Sequence, residues 1–110
     1  MSPTILPRWH AMRTDETRHV EDLLRSRFSQ ADAYRYNSGS IRVRVVDPGF
    51  EGLSAEDRDA RVEPLLERLP ESTQADIINL ITLSPGELEK PDVGSRLMAL
   101  EFEDPTPSNL

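Results

Sequence analysis

A chain of 110 residues, 36 % of them hydrophobic and 5 % aromatic, holds one small domain with a thin core, and it has no apolar run near the length of a bilayer span. The absence of cysteine excludes disulfides and thiolate metal ligands and fits a reducing, cytoplasmic setting. A formal net charge of −7 repels phosphate backbones on average, which disfavours non-specific nucleic-acid binding.

Residues 1–13 contain two prolines, Trp9 and His10 and show no helical or strand period, so they read as a mobile leader. They also lack the long apolar segment and small-residue cleavage site of a secretory signal. A helix is expected from Thr14 or Asp15, either of which can accept from free helix N–H groups. Val20, Leu23, Leu24 and Phe28 recur at helical spacing and form its apolar face. His19 sits beside that stripe and reads as a surface or boundary residue, with no second ligand at helical spacing.

Tyr34 and Tyr36 mark a short strand over 33–37, and Asn37-Ser-Gly-Ser40 a turn. Ile41, Val43 and Val45 alternate with Arg42 and Arg44, as in a half-buried strand with a basic outer face. These two strands are expected to form an antiparallel hairpin. Asp47-Pro-Gly breaks the second strand, and Ser54 can cap the helix that follows. Val62, Leu65, Leu66 and Leu69 supply a buried face, but Pro64 falls among them. Proline removes a helix donor, so the segment is expected to divide into helices at 54–62 and 64–69, ended by Pro70.

Ile77-Ile-Asn-Leu-Ile-Thr-Leu83 is the most apolar run. Ser72 or Thr73 offers a helix cap, so periodicity alone leaves the assignment open. Its β-branched content and its length between Pro70 and Pro85 favour a strand, and apolar positions on both faces suggest a central one. Over 91–110, Met98, Leu100 and Phe102 alternate weakly, as in an added edge strand over 96–102 or a partner-binding segment. An acidic, proline-containing end follows and is expected to be disordered. The resulting order, α-β-β-α-α-β, makes a small α+β domain over 14–90, with helices packed on one face of a three-stranded sheet.

Chemistry-bearing constellations are sparse. Glu56, Asp57 and Asp59 fan around a helix and suit its positive N-terminal end. No Ser/His/Asp set, phosphate-binding glycine loop or Gly-x-Gly-x-x-Gly is present, so no enzyme, metal or cofactor site is expected. Arg35, Arg42 and Arg44 are the local argument for nucleic acid, as a basic sheet face with Tyr34 and Tyr36 for base stacking.

Over roughly 14–88 the chain resembles the BolA-like proteins. The resemblance is carried by Val45-Val46, Phe50-Glu-Gly52, Arg58, Val62 and Leu66 at matched spacing, and Thr82-Leu-Ser-Pro85-Gly-Glu87. It implies a KH-like α+β fold with a helix-turn-helix corner. It also implies a role among stress-associated regulators, some of them DNA-binding, or among partners of monothiol glutaredoxins in iron–sulfur handling. In that family a histidine before the last strand and a histidine or cysteine in the hairpin loop are ligands. Here those positions hold Asp76 and Asn37-Ser-Gly-Ser40, and Asp59 stands where another histidine is common. The expectation is therefore a non-enzymatic, protein-binding member without cluster ligation. Arg42, Arg44, Phe50, Gly52, Arg58 and Asp76 are its candidate contact residues. The alternative is a nucleic-acid-binding regulator using Arg35, Arg42 and Arg44.

Overall fold

The computed structural model describes residues 6–109, so the first five positions of the expected leader lie outside it. The first long helix, α1, spans Asp15–Arg25. Thr14 caps it: its hydroxyl accepts from the Thr17 N–H, and the Thr17 hydroxyl accepts from the Thr14 N–H. Val20 and Leu24 are fully buried, and Leu23 and Phe28 pack against the same core.

Strands β1, Gln30–Asn37, and β2, Ser40–Val46, form the expected hairpin, with Ala33 opposite Val43 and Tyr34 opposite Arg42. Strand β3, Ile77–Leu83, runs parallel to β2, and the sheet order is β1-β2-β3. The expected central strand is therefore an edge strand. Its apolar residues on both faces reflect helices on both sides of the sheet, not strands on both flanks.

A parallel partner needs a crossover. This one leaves β2 through Asp47-Pro-Gly and turns at Gly52, whose φ of 76° lies in the left-handed region. It then enters α2, Ala55–Leu66, where the Ser54 side chain accepts from the Asp57 N–H. Contrary to the expected break, α2 is continuous through Pro64. The proline stands in its last turn, and the helix stops two residues later, at Leu66. The second helix of the pair, α3, lies at Glu71–Asp76, with Pro70 at its N-terminal boundary instead of ending a helix over 64–69.

The main core lies between α1, α2 and one sheet face, and comprises Val20, Leu24, Ala31, Ala33, Ile41, Val43, Val45, Phe50, Val62 and Leu65 among its members. Sequence reading placed all helices on that side. The opposite face is also covered, by a C-terminal helix and an N-terminal 3₁₀ helix that it did not anticipate. After the short helix α4, Pro85–Glu89, comes α5, Val93–Glu103, where an edge strand over 96–102 was expected. Leu, Met, Ala and Glu are strong helix formers, and Met98, Glu101 and Phe102 also satisfy helical spacing. Phe102 is buried on this second face with Tyr34, Val46, Ile81 and Leu83. Trp9 joins them from a 3₁₀ helix over Arg8–Met12, so this part of the expected leader is packed, with Trp9 only 4 % exposed. The segment beyond α5 is held too: the Thr106 N–H and hydroxyl donate to Glu101, and the Thr106 carbonyl accepts from the Tyr36 hydroxyl.

Candidate functional site

The expected contact residues fall in three separate places. Arg42 and Arg44 share the sheet face beneath α5, as their alternation required. Arg35 does not join them. It is paired with Ile41 in the ladder and points to the α1 side, where its Nη2 donates to Glu16 at 2.6 Å and to Asp76 at 3.0 Å. The three-arginine basic face is therefore not formed.

The two arginines that do share a face are engaged from within. Arg42 Nη1 donates to Glu101 at 2.7 Å and to the Tyr34 hydroxyl at 3.1 Å, and its guanidinium lies 3.7 Å from the centre of the Tyr36 ring. Arg44, buried, donates to Asp32 at 2.9 Å and to Glu103 at 2.6 Å. Tyr34 is fully buried and unavailable for base stacking. Bonds from Thr106, then Arg42, hold Glu101 down at about 2 against the usual carboxylate value. Burial raises Tyr34 above its ordinary value, with the Arg42 bond opposing.

Phe50, Gly52 and Arg58 form a second group, in the structural interior and its turn. Phe50 is fully buried beside Phe28, with ring centres 5.5 Å apart. Arg58 Nη1 donates to the Thr82 carbonyl at 3.0 Å and lies 2.7 Å from Glu87, tying α2 to the end of β3 and to α4. Burial would raise the Glu87 carboxyl, but bonds from Ser84, with Arg58 after them, outweigh it and leave the value lowered. Asp76 is the third place, locked to Arg35. Glu16 in the same cluster is lowered by the bond from Arg35 and then by that from Thr73.

Sequence reading did not anticipate a groove along β3. Among the described residues no strand pairs with the outer edge of β3. Beside it lies a hollow of about 670 Å³, bordered by Asp59, Glu63, Leu66 and Glu67 from α2 and its C-terminal end and by Ile77 and Leu80 of β3. Asp59, Glu63 and Glu67 follow one another at four-residue intervals, a signal visible in the sequence but meaningless until β3 is placed beside α2. Among the described residues no ion pair reaches any of the three. On the α5 side, Asn79 and Ile81 border a smaller, more apolar hollow with Leu97, Met98 and Phe102. Ile78 is 71 % exposed, and Leu97 62 %.

The described residues contain no group of three or more His, Cys, Asp or Glu side chains able to hold a metal. The hairpin loop offers only Asn and Ser side chains, and Asp76 is already engaged by Arg35, so this donor set does not suit an iron–sulfur cluster. No helix among the described residues is long and apolar enough to cross a membrane.

Neither a family model nor a curated protein matches this sequence. Among solved structures the chain is similar to BolA1 from Arabidopsis thaliana, with 17 % identity and a TM-score of 0.51, over 67 % of this chain and 96 % of that one. At that identity the likeness shows the fold, which is BolA-like, and about a third of this chain has no counterpart in the similar structure.

Proposed function

We propose that the chain is a non-enzymatic binding protein of BolA-like fold that acts through protein–protein contacts, without iron–sulfur ligation. The observation that carries this is the surface around β3 and α5. A free sheet edge lies beside exposed apolar side chains: Ile78, Val93, Leu97, Met98 and Leu100 are each 48–77 % exposed. Large apolar side chains gathered on one surface mark sites that another protein covers. The donor set at the family's ligand positions supports a role independent of a cluster. Pairing of Arg42 and Arg44 with Glu101, Glu103 and Asp32 weighs against nucleic acid as the partner.

A monothiol-glutaredoxin-like protein is the partner class suggested by the fold. The test is a titration of isotope-labelled chain with such a protein, free of cluster, followed by amide shifts. Perturbation clustered on 77–83 and 93–101 is expected. Flat spectra at saturating concentration would remove that partner.

A further inference from the structure

We infer that the outer edge of β3 receives an extended segment of a partner protein as a fourth strand, and that this segment alternates basic and aliphatic side chains. The inference rests on the protein-binding reading above and goes beyond it by specifying the surface and the chemistry of what docks there.

The backbone supplies the first argument. The Asp47 N–H donates to the Leu83 carbonyl at 3.0 Å, so Leu83 faces β2. Strand alternation then turns the backbone groups of Thr82 and Leu80 outward. The Thr82 carbonyl is taken by Arg58, which closes that end of the edge. At the other end Ile78 is an extra residue: Ile41 pairs with Ile77 and Arg42 with Asn79, leaving Ile78 in a bulge. Between bulge and clamp lies an open stretch of about four residues, or roughly 13 Å of strand.

Charge supplies the second argument. Asp59, Glu63 and Glu67 stand along the groove without a cationic partner, and like charges at this helical spacing repel one another. Their repeat along the helix is about 6 Å. Alternate side chains of an extended strand repeat at about 6.6 Å. Lysines or arginines at every second position of an added strand therefore keep step with the three carboxylates. The intervening side chains point to the opposite face, toward the hollow containing Ile81, Leu97 and Met98, where aliphatic groups fit. An acidic strand meets the like charge of the three carboxylates, and a uniformly polar one leaves the apolar hollow unfilled.

The probe is a capped eight-residue peptide alternating Lys and Val, titrated into isotope-labelled full chain and compared with a Glu–Val counterpart and an N-methylated Lys–Val counterpart. The expected result is binding of the first alone, with the largest amide shifts at 78–82. The double substitution Glu63→Lys, Glu67→Lys, on exposed and unpaired side chains, is expected to weaken it at least tenfold. Equal binding of the Glu–Val or N-methylated peptide overturns the proposal, as does indifference to the double substitution. If no peptide binds but a glutaredoxin-like protein perturbs other surfaces, the edge assignment falls and the protein-binding reading stands. If neither binds, the edge assignment and the glutaredoxin-like partner both fall.

Discussion

The indole N–H of Trp9 donates to Glu103 at 2.9 Å, joining residues 94 positions apart. The other oxygen of the same carboxylate accepts from Arg44 at 2.6 Å, so one side chain links the N-terminal 3₁₀ helix, the central strand and α5. Trp9→Ala removes the ring packed against both Tyr34 and Phe102 and is expected to cost about 3–5 kcal/mol. Trp9→Phe keeps most of the packing and loses the donor, for about 1 kcal/mol. Urea unfolding followed by circular dichroism measures both, and equal losses would contradict this division.

Acid should release α5. Glu101 has a folded value of about 2 against an ordinary 4.5, so its contribution to stability is fully present above pH 4.5 and is lost as pH falls toward 2. Trp9 is the sole tryptophan and touches Phe102, so its emission reports the step. A red shift developing below pH 4.5 is expected. In Glu101→Gln the part of the pH dependence due to this carboxyl should vanish. An identical acid profile in the variant would remove Glu101 from the account.

Gly52→Ala probes backbone conformation almost in isolation. A Cβ at this position meets nothing within 4 Å, so crowding contributes little. The left-handed φ alone should cost about 1–2 kcal/mol. Gly52→Asn should recover part of it, because asparagine visits that region more readily. The chemical denaturation midpoints of the two variants test the ranking.

Arg58→Ala frees the Thr82 carbonyl and removes the cation beside Glu87, at an expected cost of about 1–3 kcal/mol. It also lengthens the unpaired part of β3, and open edges invite pairing between copies. A lower melting temperature together with concentration-dependent self-association by sedimentation is expected. Destabilisation without self-association would mean that Arg58 braces the fold but does not guard the edge.

What was legible in the sequence was local. Val20 and Leu24 repeat on a helix, Ile41, Val43 and Val45 alternate on a strand, and Thr14 and Ser54 stand where caps belong. Ile77–Leu83 was identified as a strand by its β-branched content, but its edge position depends on which strand it pairs with, a non-local fact. Met98, Leu100 and Phe102 suit a period of two, while Met98, Glu101 and Phe102 suit a helix, and propensity decided for the helix. Arg42 and Arg44 do share one face. Their neutralisation by Glu101 and Glu103 comes from a segment about sixty residues away, which no local pattern announces. The three-carboxylate stripe of α2 was visible as spacing, but its relevance depends on the parallel return of β3.

The clasp between Trp9 and α5 also has a consequence in time. Loop-closure entropy must be met before a distant contact is rewarded, and here the contact spans nearly all the described residues. The hairpin and α1 involve short separations and can form during synthesis, whereas Trp9 has no Phe102 to meet until the ribosome has made it. For that interval Arg42 and Arg44 lack Glu101 and Glu103, although Asp32, Tyr34 and Tyr36 of the hairpin are already beside them. Charge balance on this sheet face is therefore completed only by the last helix to be made.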